Sequence, residues 1–194
     1  NLSINNNEVI DLFGEETELF GSLFPNTPSN VNNIVIVREG APINSFYTYV
    51  FDGIWQTQDE ISASGIQPNA QPGDERYKDL NNDGVINGED RQITGNGLPQ
   101  VFYGLTNNFA YKNFELSVFF QGAADVEVLN LTRRGLEQFD GDANVAASAL
   151  NRWTGPGTSN FVPRATAGGS PTPLISDKYV EDGSFIRLRT LTLA

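Results

Sequence analysis

The spacing of its strands constrains this chain most. Short runs of alternating apolar residues are separated by the two-residue link Lys112-Asn113, by turn chemistry at Glu39-Gly-Ala-Pro-Ile43, and by two long polar stretches, 52–100 and 122–182. Compact domains in water seldom carry structureless connections longer than about 12–15 residues. Outer-membrane β-barrels do, with short turns on one side and long loops on the other. The parity fits such a wall. Residues 45–51 would run outward, 101–111 inward, 114–121 outward and 184–194 inward.

The clearest hairpin joins Val101–Tyr111 to Phe114–Gln121. Phe114, Leu116, Val118 and Phe120 share one face; Glu115, Ser117 and Gln121 share the other, with Phe119 as the exception. Ser45–Phe51 alternates in the same way, and the β-branched run Asn33–Arg38 predicts another strand. Asn1–Asn7 predicts a strand end, and the mixed stretch Leu12–Asn33 a loop. Ala143–Trp153 predicts a short helix. In the last strand Ile186 and Leu188 oppose Arg187 and Arg189, and beyond them the apolar positions shift to Leu191 and Leu193. A bulge near Arg189-Thr190 accounts for the shift, as would passage from a wet to an apolar environment.

Composition excludes several classes. The net charge of −12 removes a basic nucleic-acid groove and a polybasic membrane-surface patch. With no His and no Cys there is no imidazole catalysis, no Ser-His-Asp triad, no thiol nucleophile and no disulfide frame. Aromatics at 11% with 19 Gly suit β-structure with long loops. The chain has no Met and stops within a strand-like run at Leu193-Ala194, so it is expected to be a piece of a larger protein. It has no apolar run of the roughly 20 residues that a membrane-spanning helix needs, but a transmembrane strand needs only about 9–11.

One motif carries chemistry. Residues 79–90, Asp-Leu-Asn-Asn-Asp-Gly-Val-Ile-Asn-Gly-Glu-Asp, fit a calcium loop. Hard cations require several oxygens at short range, which Asp79, Asn81 and Asp83, the Val85 carbonyl, Asn87 and Asp90 would supply around the turn at Gly84. Ile86 would anchor the loop on apolar neighbours. The alternative is an Asx-rich turn whose side chains cap their own backbone. No exiting helix follows, since Gly95, Gly97 and Pro99 intervene, which argues against an EF-hand or a dockerin. The Ca2+ would be structural.

Other candidates are weaker. The pairs Asp74-Glu75 and Glu181-Asp182 read as solvated loop charge, because neighbours on a strand face opposite ways. Trp55 and Trp153 read as core or girdle residues before sugar platforms. Arg133-Arg134 reads as a solvated pair, and Asn130-Leu-Thr132 matches a glycosylation acceptor, a pattern frequent by chance. No acid-base constellation supports an enzyme.

The order of motifs resembles the C-terminal part of SusC/RagA-like TonB-dependent transporters of Bacteroidetes outer membranes. The residues that carry the resemblance are Gly40-Ala-Pro42, Tyr47, Phe51-Asp-Gly-Ile54, Pro72-Gly-Asp74, Tyr77 to Arg91, Gly95 to Pro99, Gly104-Leu105, Tyr111 to Ser117, Phe120-Gln-Gly122, Asn151-Arg-Trp-Thr154, Pro163-Arg164, and Asp182 to Arg189 with Leu191-Thr-Leu193. They cover residues 39–194; residues 1–38 fit more loosely. The resemblance implies an all-β fold, an antiparallel segment of a transmembrane β-barrel of about 22 strands. In it 52–100 and 122–182 would be extracellular loops. It further implies import of oligosaccharides or peptides powered through TonB, with a SusD-like surface lipoprotein as partner. The family pattern continues past Leu193 with Gly and an aromatic, which this chain lacks. The competing expectation is a secreted, calcium-stabilised β-domain that binds carbohydrate or a protein partner.

Overall fold

The computed structural model describes residues 1–14, 17–21, 33–139, 144–166 and 174–194. Its strands fall into two parts with opposite burial. In the first, β1 (Leu2–Ile4), β8 (Val101–Tyr111), β9 (Phe114–Ala124) and β12 (Phe185–Leu193) form one antiparallel sheet in the order β1-β8-β9-β12. Its hairpin turns at Lys112-Asn113, where Lys112 has φ +52°. β8 and β9 each run 11 residues, the length that crosses a bilayer. Ile4 pairs with Val101 and Ala123 with Phe185, so both long connections leave the sheet at the end away from the hairpin.

The second part is a folded body built by those connections. β2 (Glu18–Gly21), β3 (Val35–Arg38), β4 (Ser45–Tyr49) and β7 (Arg91–Asn96) make a sheet in the order β2-β3-β4-β7. β5 (Phe51–Ile54) pairs with β6 (Glu75–Tyr77), and β10 (Glu127–Leu129) with β11 (Val180–Asp182). Helix α1 (Gln58–Ser64) starts where Thr57 Oγ1 accepts the Glu60 N–H and stops at left-handed Gly65. Helix α2 (Leu131–Leu136) starts where Asn130 Oδ1 accepts the Arg133 N–H. The core of this body holds Ile36, Ile54, Trp55, Ile61, Ile175 and Tyr179.

Several expectations change. Ser45–Phe51 is not a barrel stave: it breaks at Val50, and β4 pairs with β3 and β7. Ser45, Phe46, Tyr47 and Thr48 are buried on both faces, so its alternation of aromatics and Thr reflects packing inside the outer body. Residues 52–100 and 122–182 are not structureless, which removes the objection that so much chain would be left loose. Leu12–Asn33 contains β2. Within Ala143–Trp153 the structure forms a 3₁₀ turn, Ala147–Asn151, because Ala146 offers no side-chain cap; Ala143 lies outside the described residues. Residues 22–32 of the Leu12–Asn33 stretch, and 167–173 within 122–182, also lie outside them.

Candidate functional site

The four-stranded sheet sorts its side chains by chemistry, because residues paired across an antiparallel ladder point the same way. On one face lie Leu2, Ile4, Leu105, Phe109, Leu116, Val118, Ile186 and Leu188. On the other lie Ser3, Thr106, Asn108, Glu115, Ser117, Gln121 and Arg187, with Phe102, Phe119 and Phe185 as its apolar exceptions and Asn107 as the polar exception of the first face. The register of β12 against β9 slips between Leu188 and Thr190, a bulge at Arg189. The slip returns Leu191 and Leu193 to the face of Leu188, opposite Val118 and Leu116. Tyr111 and Phe114 sit at the hairpin end of the apolar face. Near the other end Tyr103 donates its hydroxyl to the Phe185 carbonyl at 3.0 Å.

Nothing among the described residues covers that apolar face. Leu105 is 59% exposed and Leu191 62%. Burying one such side chain stabilises by about 1.5–3 kcal/mol, so a row of them in water works against a fold stabilised by only about 5–15 kcal/mol.

The loop 79–90 sits on the outer body. Asp79 accepts the N–H groups of Asp83 and Gly84 at 3.2 and 2.8 Å, and Asn81 Oδ1 accepts Asp83 N–H at 3.0 Å. Asp83 accepts Val85 N–H at 2.9 Å and the amides of Asn81 and Asn87 at 3.0 and 3.1 Å. These bonds, led by that from Val85, hold the Asp83 carboxyl below the ordinary Asp range. Asn82 and Gly84 take positive φ, +60° and +86°, to turn the chain. Asp79, Asn81, Asp83 and Asn87 are thereby brought together. Asp90 is not with them: it is fully buried, and its two oxygens accept Leu80 and Asn87 N–H, both at 2.8 Å. Glu89 takes the place beside Asn81, whose amide donates to it at 3.3 Å. Among the described residues no three Asp, Glu, His or Cys side chains cluster as a metal-binding group. Ile86 ties the loop down through Ile66, whose carbonyl accepts its N–H at 3.0 Å.

The two long connections lock together through buried charge. Lys178 Nζ donates to Glu75 Oε1 at 2.7 Å, with both side chains sealed from water. Tyr77 and Tyr179 donate to the same carboxylate at 2.7 and 3.3 Å. Burial, and next the Glu75 charge, push both phenols well above the usual Tyr range. Glu137 lies 3.8 Å from Lys178, and Arg133 bridges Glu137 and Glu181. Glu75 and Arg133 are therefore not solvated as the sequence suggested: Glu75 meets Lys178, 103 residues away, and Arg133 meets Glu181, 48 residues away, as well as Glu137 one helical turn on. Asp74 pairs with Arg164 at 2.8 Å. Asn130 spends its side chain on Arg133 and Glu181, as a helix cap. Trp55 is core at 2% exposure, and Trp153 donates to Gln56 at 3.1 Å. A cavity of about 450 Å³ between the two connections is walled by Ile66, Ile86 and Phe139, with Glu75 and Tyr77 also lining it.

The relatives carry this uncovered wall into context. The chain is 36% identical over its whole length to TonB-dependent receptor P26 of Formosa agariphila, spanning 19% of that protein. It is 27% identical over its whole length to TonB-dependent receptor SusC of Bacteroides thetaiotaomicron, spanning 18% of it. This chain resembles a segment of SusC/RagA-like TonB-dependent receptors.

The fold of the SusC/RagA-like segment agrees. It superposes on the RagAB peptide transporter with a TM-score of 0.69 at 21% identity, covering 96% of this chain and 18% of the other. The RagAB peptide importer in its closed-closed state gives 0.65 at 22% identity, covering 96% and 19%. No protein-family model matches. The chain spans about a fifth of the length of the curated relatives it matches. No described helix is long and apolar enough to cross a membrane, which says nothing of strands.

Proposed function

We propose that this chain forms wall and outer body of an outer-membrane TonB-dependent importer of nutrients, oligosaccharides or peptides. The observation that carries the proposal is the four-stranded sheet with one uncovered apolar face and one polar face. In a barrel wall the first meets lipid and the second the lumen. β1 and β12 are open edges in this sheet, and neighbouring strands of a barrel would pair with them. The outer body then lies on the extracellular side, where a SusD-like lipoprotein would cap it. TonB would act through parts of the receptor outside this chain. A secreted β-domain has no use for the bare apolar face, although the outer body does possess its own core.

Cysteine scanning of the intact receptor in cells tests this. Leu105→Cys and Leu191→Cys are expected to resist a water-soluble maleimide and to react with a lipid-soluble one. Thr106→Cys and Thr192→Cys are expected to show the reverse once the lumen is accessible. Equal labelling of both sets would overturn the proposal.

We also propose that the loop holds Ca2+ through Asp79, Asn81, Asp83, Asn87 and the Val85 carbonyl. Its concave, oxygen-rich turn supports this. Asp90 does not fit the set, because it is fully buried, with its oxygens turned to the Leu80 and Asn87 N–H groups, while Asn81 and Asp83 are exposed. The cation would supply only structural support, neutralising Asp79 and Asp83. Chelator is expected to speed protease cleavage within 74–98; identical digestion with and without chelator would remove the metal.

A further inference from the structure

The polar face of the sheet carries one more arrangement, visible only through the register. Phe102, Ala123 and Phe185 stand in one row across β8, β9 and β12, and Gly104, Gln121 and Arg187 form the next. Phe102 and Phe185 are 47% and 38% exposed, while Ala123 between them is buried. The Arg187 guanidinium lies 4.4 Å from the centre of the Phe185 ring. One bulge further, Thr190 stands toward the same side, opposite Phe119. Among the described residues no carboxylate lies within ion-pair range of Arg187 or Arg189, in a chain of net charge −12.

We propose that these two rows form a subsite for an acidic saccharide at the outer end of the wall. This rests on the lumen assignment made above. Two half-exposed rings flanking a small residue offer an apolar platform to the C–H face of a sugar ring. The planar Arg187 fork beside them matches a carboxylate or sulfate bidentately, and Gln121 can serve hydroxyls. A peptide would be taken chiefly through main-chain bonds at a free strand edge. β8 and β9 have a paired strand on each side, and in a closed barrel β12, which carries Phe185 and Arg187, would be paired as well, so this part of the wall would present side chains only.

The test uses the full-length receptor that carries this segment, purified in detergent. Calorimetry compares a galacturonic acid oligomer, a neutral glucose oligomer of equal length and an acidic peptide. The acidic oligomer is expected to bind most tightly and to weaken as salt rises. Arg187→Gln is expected to weaken it about tenfold or more, since a charge-assisted pair is lost. Arg187→Lys should restore part of the loss, and Phe185→Ala and Phe102→Ala should each weaken binding. Unchanged affinity in Arg187→Gln and both Phe variants would overturn the subsite. So would a neutral oligomer or acidic peptide bound as tightly as the acidic oligomer. Labelling at Leu191→Cys and Thr192→Cys separates the two failures. Shielded Leu191 with reachable Thr192 leaves the barrel wall standing when only the subsite fails; the reverse pattern removes both.

Discussion

Lys178 shows what single residues do here. Its ammonium is sealed from water against Glu75, within reach of Glu137 and over the rings of Phe51 and Phe161. Removing one partner of a buried pair leaves the other charge uncompensated, at a cost of about 3–5 kcal/mol. Lys178→Met should destabilise the outer body by that much, read as a lower denaturant midpoint of Trp55 and Trp153 fluorescence. Lys178→Met with Glu75→Gln should recover part of it. Exposed carboxylates set a different dependence. Asp83, Glu181 and Asp182 are each held below their ordinary values, chiefly by the hydrogen bonds of Val85, Asn130 and Ser184. A depressed native pKa contributes stability that is complete above the unfolded value. It is lost as pH falls through the native one. Protease resistance at Asp83 and Asp182 should therefore hold down to the ordinary Asp value of 3.8 and decline below it. Constant digestion rates through that range would contradict this. None of these partners is near in sequence to Lys178, which is why the sequence left Glu75 looking solvated.

At the scale of elements the bulge at Arg189 decides a whole face. Strand alternation places neighbours on opposite sides, so one extra residue turns every later side chain over. In β12 that extra residue keeps Leu191 and Leu193 with Leu188 rather than with Arg187. Deleting Arg189 alone leaves Leu188, Thr190 and Leu191 in regular alternation, so both leucines should stay on the apolar face. Deleting Arg189 and Thr190 together should send both to the polar face. The receptor is then expected to lose heat-resistant barrel mobility on gels and fall in outer-membrane abundance, while the single deletion and Arg189→Ala keep both. The broken pattern was readable in the sequence, as was the hairpin at Lys112-Asn113. Helix α1 also had a local signal, Thr57 three residues before Glu60, where Thr57 Oγ1 caps Glu60 and Glu60 Oε2 accepts Gln56 N–H at 2.9 Å. In β4 the sequence misled. Its alternation suits a one-sided strand, yet the outer body buries Ser45 to Thr48 on both sides.

For the whole molecule, the two parts divide the chain's apolar surface. The outer body has a closed core centred on Ile36, Ile54, Trp55 and Tyr179. The wall exposes its apolar side chains and ends in two open edges. Within the outer body the two connections interlock at close quarters. Gly73 has φ +93°, and an added Cβ there would stand 2.6 Å from Trp153. The sequence by itself determined the hairpin of the four-stranded sheet, the shift of apolar positions after Arg189 and the alternation that separates its faces, because period-two alternation and turn residues act over a few neighbours. It also set the turn at 79–90. Only the tertiary structure decided that β4 belongs to the outer body, that Asp90 turns inward and that Glu75 meets Lys178. The Glu75–Lys178 pair spans 103 residues, β4 takes its partners from strands on both sides of it in sequence, and Asp90 is buried by the body around it, so desolvation and packing choose among arrangements that local pattern leaves equivalent.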